Sequence, residues 1–535
     1  MGFTVINGRV FTGNQEKPWV TSFSVDGEVI TSVDSTPRHG DTIIDARGRL
    51  IVPGFGDGHA HPMFGGYEFL GPVLKGKSTL EELLASVKKF ADENPDMPWI
   101  QGGSYESWMV PGGEFDARWL DDVVPDRPVV LRATDYHTVW CNTAALSAAG
   151  ITADTPDPEI GWIMRREDGT PMGTLREWDA VDLVLNVAPE RTLDEKVLAL
   201  ELAGHEFART GITWVQDAWV DPGMAEAYVA AAHEGKLGIR YNLALRADPK
   251  KWRDQLDWMI STRKLFDDID QVSCNTIKFF ADGVIEGHTA ALRQAYTDDP
   301  HNHGMPCWDW DELRACVAAV DELGFQPHIH AIGDEGLHEA INAIEFAQKA
   351  NGSQSHPRPV ITHVQLLDPV DLPRFAQLGI VANFEALWAC NDPLMSELTA
   401  PHVGHEREMW QYPMKSMLDS GAPISMGSDW PVTDLNPLAC MEVAITRLVP
   451  EDPTSTVWNP GERLSPVEAV TAYTLGSAYQ AGADHLWGSI EVGKAADFAI
   501  LNQNIFDIAP TDIHTIQVDG TWCGGKQIFS RKDAN

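Results

Sequence analysis

The sequence has few cysteines. Its seven are scattered without a C-x-x-C pair, which argues against a disulfide framework and a thiolate zinc site. Reduced thiols, and with them a cytoplasmic location, are the expectation. Positive charge is also scarce: 40 Lys and Arg stand against 78 Asp and Glu, a formal charge of −38. Nucleic acids and anionic membranes need basic patches, so neither is expected as a partner. The acidity runs along the whole chain and reads as a solvated surface. No uninterrupted apolar run is long enough to span a bilayer. The opening "MGFTVINGRVFTG" lacks the basic start and apolar stretch of a signal peptide, and Ile6 stands where a myristoylation signal wants Ser or Thr. There is no internal repeat and no low-complexity tract.

What is present is a chain of 535 residues, 43% hydrophobic and 22% charged, as in soluble globular proteins. That length suits one large domain plus a smaller one, or two or three domains. Both ends read as short alternating strands, as in "VTSFSVDGEVI" and "IHTIQVDGTWCGGKQIF". Two helix starts are marked by capping boxes, at Ser78 with Glu81 and at Ser465 with Glu468, the second with Pro466 in the first helical position. Through the middle, short apolar runs alternate with helical stretches, the pattern of buried parallel strands with crossover helices. The runs are "LIVPGFGDGHAHP", "GITWVQDAW", "IRYNLAL", "NTIKFFADG", "FQPHIHAIGD", "PVITHVQLL", "GIVANFEAL" and "PISMGSDWPV". Eight such units are what a (β/α)8 barrel requires. An open doubly wound sheet has the same strand count to offer, but its Gly-rich phosphate turn is missing. The segment from about Gly65 to about Arg209 is then a long excursion after the first barrel strand.

Within the first run, His59 and His61 are two residues apart. In a strand they would share a face, which suits a metal held by two nitrogens. With 18 histidines in the chain, a chance pair in a turn explains the triplet equally well. The other strands bear on that choice. Lys278 lies on the fourth, His330 on the fifth, His363 on the sixth and Asp429 on the eighth, each near the C-terminal end. In a barrel those ends carry the active site, so six residues distant in sequence would converge.

"VPGFGDGHAHP", "GITWVQDA", "IKFFADG", "HIHAIGD", "ITHVQLL" and "GSDWPV", in this order, together with "LSPVEAVTAYTLGSAYQAGADHLWGSIEVGKAADFAILN", resemble the metal-dependent amidohydrolase superfamily. The likeness is specifically to its YtcJ-like branch, which includes N-substituted formamide deformylases. The likeness runs almost the whole length, including "DYHTVWCNTAALSAAGITADTPDP" inside the excursion. It implies a small β-sandwich from residues 1–51 and 485–535, a barrel over 52–484, and an insertion of about 65–209. It implies two divalent ions, zinc being expected, with manganese, iron and cobalt left open. His59, His61 and Asp429 would hold one, His330 and His363 the other, and a carboxylated Lys278 would bridge them. A buried lysine loses its charge readily, and only the neutral amine forms a carbamate. His328 is read as a packed neighbour, because the family's ligand directly precedes "AIGD".

The activity so implied is hydrolysis of a carboxamide or N-formyl C–N bond in a small, partly apolar molecule. A metal-bridging hydroxide would attack, with Asp429 as general acid and base. Alternatives are a mononuclear deaminase, an ester, lactone or cyclic-imide hydrolase, and a non-catalytic binding relative. A homodimer is compatible with the sequence. Relatives often read "DGSLGSRTA" where this chain reads "DGVIEGHTA", which makes Glu286 and His288 candidates for substrate contact. His137, Trp140 and Glu177 in the excursion are further candidates, Glu177 being equally explained as a surface helix-capping charge. The 19 tryptophans are many for this length, and most are expected to pack between elements.

Overall fold

The computed structural model describes residues 2–34, 36–352 and 357–532. Its largest sheet has eight parallel strands: β1 (Phe55–Ala60), β2 (Ile212–Val220), β3 (Arg240–Arg246), β4 (Val272–Phe280), β5 (Gln326–Ala331), β6 (Val360–His363), β7 (Val381–Phe384) and β8 (Ile424–Met426). Each pairs with the next in chain order. The last then returns beside the first. Asp429 N donates to His59 O at 2.7 Å, and Ser428 N donates to Asp57 Oδ1 at 3.0 Å. This is the (β/α)8 barrel the eight runs predict. Every residue of β1 and β2 is buried, because helices such as Ala225–His233 and Asp334–Asn351 lie in the connections.

The first predicted strand is really two. Leu50–Pro53 pairs with Arg9–Phe11 and Phe498–Leu501 in a six-stranded sheet, and β1 begins after Gly54. A Cβ on Gly54 would stand 2.4 Å from Thr213 Oγ1, so only glycine lets the chain cross from one sheet to the other there. A second sheet of Phe3–Ile6, Phe23–Asp26, Val29–Val33 and Thr42–Asp45 shares a core with the first, built on Val5, Phe23, Ile51, Phe498 and Trp522. Both ends of the chain contribute to this sandwich.

Inside the barrel a belt of buried polar side chains links strand to strand. Asn242 donates to Gln216 and Thr276, both at 2.7 Å, and Thr276 donates to Gln326 at 2.9 Å. Gln480, in the helix Ser477–Gln480, donates to Gly58 O at 2.7 Å and accepts from Ser425 at 2.5 Å. Polar groups this deep are tolerated because each finds a partner.

The chain divides into two compact units. The first holds barrel and sandwich; the second comprises Pro62–Ala203 and Trp430–Asp434. That second unit is built on a five-stranded sheet ordered Trp162–Arg165, Pro171–Arg176, Thr138–Cys141, Val129–Ala133, Ile100–Tyr105. Its helix Leu80–Glu93 buries Leu83, Val87 and Ala91, one face at a spacing of four. The cap is one residue later than predicted: Thr79 accepts from Glu82 N, while Glu82 reaches back to Ser78 N. Starting at Leu80 puts the apolar face inward. At Ser465 the capping box forms as predicted, with Pro466 in the first helical position. Among the described residues no cysteine forms a disulfide, and no helix is long and apolar enough to cross a membrane.

Candidate metal centre

His59 is the penultimate residue of the barrel's first strand and His61 lies just past it. The two rings meet one carboxylate. Asp429 Oδ1 is 3.3 Å from His59 Nε2 and 2.8 Å from His61 Nε2, and all three residues are buried. The backbone brings Asp429 there in a left-handed conformation, φ +54°. A Cβ on Gly427 would meet His59 N at 2.8 Å, so a glycine two residues earlier permits the close approach. Burial lowers the pKa of both imidazoles, that of His59 to well below the usual value. Burial alone would raise the Asp429 carboxyl, but the two rings outweigh it and hold it well below the usual range. Neutral nitrogens around an ionised carboxylate result.

Lys278 projects from β4 with no exposed surface, and its Nζ lies 3.3 Å from His59 Nε2. Burial pulls its pKa down from 10.5 to about 7, despite the opposing charges of Asp429, Glu385 and Asp217. His328, opposite Lys278 in register, places Nε2 2.7 Å from His59 Nδ1. That contact occupies one ring nitrogen of His59 and leaves Nε2 facing Asp429 and Lys278. His328 is thus a hydrogen-bond partner of His59.

His330 and His363 lie on neighbouring strands with ring centroids 4.5 Å apart, and His363 is 4.9 Å from His59. His363 has a left-handed backbone, φ +72°. Non-glycine residues in that region cost about 1–3 kcal/mol each and persist where the surroundings demand them. His363 Nδ1 is 2.8 Å from Glu385 Oε2, and its ring stacks on Trp388 at 5.2 Å. His330 Nε2 is 3.2 Å from Gly283 O.

The six predicted residues therefore gather, but unequally. The ligand atoms of His59, His61 and Asp429 all lie within 4.8 Å of one another, a grouping that His330 and His363 do not join. The three fit a divalent ion on a specific ground. Asp429 Oδ1 accepts no hydrogen bond despite the two nitrogens beside it. Donors aimed at a shared centre lie side by side rather than along one another's N–H directions. A tetrahedral ion with bonds of about 2.0–2.2 Å spaces them roughly 3.3 Å apart, close to what is seen.

The remaining candidates have other settings. Trp140 has no exposed surface; it packs on Tyr105, Phe115 and Trp119 and donates to Asp116 O at 3.1 Å. Its place is the aromatic core of the second unit, which corrects its reading as a substrate contact. Glu177 is not a surface cap either. It is buried, makes no side-chain cap bond, and sits 2.9 Å from His137 Nδ1 with a backbone φ of +62°. Glu286 is half-buried in the loop after β4. His288, in the same loop, lies 3.1 Å from Asp298 and belongs to a second cluster.

Two carboxylates escaped the sequence reading. Asp57 is buried and accepts from Ser428 Oγ at 2.5 Å and His59 N at 3.2 Å, joining β1 to β8; burial raises its carboxyl to about 7. Glu385 holds His363. Both were within reach of a period of two, since Asp57 precedes His59 by two and Glu385 follows Asn383 by two.

The sequence profile of the Amidohydrolase family matches residues 42–529. Among curated proteins, the chain is 32% identical to "Protein LONG AFTER FAR-RED 3" of Arabidopsis thaliana, over 98% of this chain and 91% of that one. It is 28% identical to "Putative amidohydrolase YtcJ" of Bacillus subtilis, covering 91% and 90%. With "N-substituted formamide deformylase" of Arthrobacter pascens it shares 25% over 98% of both. A solved structure described as an uncharacterized metal-dependent hydrolase from Pyrococcus furiosus shares the fold, with a TM-score of 0.75 at 23% identity over 95% of this chain and all of that one.

Proposed function

Because the chain belongs to the amidohydrolase family, we propose that it hydrolyses the C–N bond of a carboxamide or N-formyl amide in a small, partly apolar molecule. The observation that carries this reading is the ionised, buried Asp429 set between neutral His59 and His61, with Lys278 3.3 Å from His59. The name of the Arthrobacter relative supports formamides as the substrate class. Two divalent ions, zinc in this reading, held by His59, His61, Asp429, His330, His363 and a carboxylated Lys278, would supply acidified water and a polarised carbonyl.

The protein's own groups have distinct tasks. Asp429 takes the proton of the attacking water and returns it to the departing nitrogen, turning a poor leaving group into an amine. Lys278, held near neutrality by burial, is available as an amine for carbon dioxide. Glu385 engages Nδ1 of His363 and His328 engages Nδ1 of His59, so that each ring offers Nε2. His137 and Glu177, buried together in the second unit, are proposed to contact the substrate, as is Glu286.

The test is a screen of zinc-reconstituted protein over N-formyl amines, acyl amides, cyclic imides and esters, with elemental analysis alongside. The expected result is about two metals at the strand-end centre and the highest kcat/KM on N-formyl or acyl amides. Turnover confined to esters, lactones or imides would move the substrate class. Release of ammonia from a ring amine with one metal at that centre would make the protein a deaminase.

A further inference from the structure

Among the described residues, one other group brings three metal-competent side chains together: His288, Asp298 and His402, with ligand atoms within 4.8 Å of one another. It joins two separate parts of the barrel unit. His288 and Asp298 lie in the loop that follows β4, and His402 lies in the helix Ala400–Glu408, between β7 and β8. His288 Nε2 is 3.1 Å from both carboxylate oxygens of Asp298, and His402 Nδ1 is 2.8 Å from Oδ2. The two rings are 4.0 Å apart, and His288 also lies against the ring of Tyr296 at 4.7 Å.

Ordinary hydrogen bonding accounts for only half of this. His288 makes a bond of good geometry to Asp298, but the buried Nδ1 of His402 makes none, although the carboxylate is 2.8 Å away. An imidazole N–H should point along its bond. A lone pair aimed at an ion shared with the carboxylate should not, and the spacings of 2.8 and 3.1 Å are near the roughly 3.3 Å of tetrahedral donors. Two imidazoles and one carboxylate, with a position left for water, suit a borderline divalent ion rather than magnesium or calcium.

The ligands are also held in place by bonds that need no ion. Arg407, buried, donates from Nη1 to Gln294 O at 2.8 Å and from Nη2 to Ala295 O at 2.9 Å. Thr297 N donates to His402 O at 2.8 Å. Loop and helix are therefore joined before any cation arrives, and the side chains are poised rather than recruited. The left-handed backbone of His288, φ +56°, fits such a fixed position.

We propose that His288, Asp298 and His402 form a further divalent transition-metal site, of the zinc type, which clips the loop after β4 to the helix Ala400–Glu408. The site would be additional to the centre at the strand ends and does not depend on what that centre catalyses. It also gives His288 a role other than substrate contact.

Zinc titration of chelator-stripped protein tests this, using a His59→Ala, His61→Ala background to weaken the strand-end centre. The background should bind about one equivalent more than the same protein carrying His402→Ala. Asp298→Asn, which keeps the shape, should weaken that equivalent by roughly tenfold or more, and serves if His402→Ala fails to fold. Cobalt(II) in the same site should give visible absorption that disappears with either change. Equal stoichiometry and affinity across the set would overturn the proposal, as would anomalous zinc scattering located away from these three side chains.

Discussion

Among the described residues, two imidazole–glutamate pairs are buried on both sides and have nearly the same geometry. In the barrel unit, His363 Nδ1 is 2.8 Å from Glu385; in the second unit, His137 Nδ1 is 2.9 Å from Glu177. Their surroundings differ. His363 and Glu385 stand at the ends of adjacent parallel strands, with the rings of His330 and His59 at 4.5 and 4.9 Å. His137 and Glu177 flank antiparallel strands, with Glu177 N bonded to His137 O and the Trp178 ring at 4.5 Å. The pairing fixes which ring nitrogen is left over in each case; what collects around that nitrogen sets its use. Parallel strands point all their ends one way, so donors accumulate. An antiparallel sheet sends successive strand ends in opposite directions.

The comparison is sharpened most by Asp429, the carboxylate around which the barrel's donors collect. In Asp429→Asn, a ligand role alone predicts weaker metal binding and recovery with excess metal. A proton-shuttle role predicts a loss that persists at full occupancy, by ~10²–10⁴-fold on an alkyl amide. We expect the second. The loss should shrink on an activated ester, whose leaving group needs less protonation. Equal losses on both substrates would reduce Asp429 to a ligand.

Glu385→Gln separates the two pairs directly. An amide can still meet His363 Nδ1 but lacks the negative charge that makes the ring a stronger donor to a metal, so zinc affinity and kcat should each fall by about 10–100-fold. Glu177→Gln should leave zinc affinity unchanged. If Glu177→Gln weakens zinc as much as Glu385→Gln does, the contrast drawn between the units is wrong.

Lys278 gives the barrel unit a pH axis. Its pKa in the folded protein is lowered from 10.5 to about 7, so the amine is mostly charged below pH 7 and mostly neutral above it. Between pH 7 and 10.5 the unfolded chain binds the extra proton, and the lysine's destabilising effect fades as pH rises through that window. Carbamate formation on metal-free protein should accordingly rise by about tenfold from pH 6 to pH 8, following the neutral fraction. Carbon-13 NMR with labelled bicarbonate measures it. A signal independent of pH, or one surviving Lys278→Ala, would remove the carbamate from the scheme.

The barrel was legible in the sequence because its signals are redundant. Eight buried runs, five of them with metal-competent residues near the C-terminal end, predict both the fold and the gathering of His59, His61, Lys278, His330, His363 and Asp429. What was lost there was fine grain. The change of sheet at Gly54 leaves no break in hydrophobicity, since both strands are buried, and Glu385 drew no notice beside the louder histidines. The second unit was harder to read. A tryptophan that fills a core and one that lines a pocket look alike in a sequence, and Trp140 proved to be the former. Glu177 begins a helix, where acidic residues are usually exposed, yet its partner His137 is 40 residues away. No local pattern records such a pairing.

The smallest effect expected is at His137, and it decides whether the second unit takes part in recognition. If the pair contacts substrate, His137→Ala removes one hydrogen bond worth about 1 kcal/mol, and KM should rise about fivefold with kcat little changed. The same change leaves the Glu177 carboxylate buried without its imidazole, so some loss of stability accompanies it and must be measured separately. Trp140→Phe provides that control. It disturbs the same core, and should lower the Tm while leaving KM within twofold. A raised KM in His137→Ala alone would give the second His–Glu pair a function of its own. If both variants keep kcat/KM within twofold, the unit is scaffolding, and substrate recognition has to come from residues of the barrel unit such as Glu286 and Trp388.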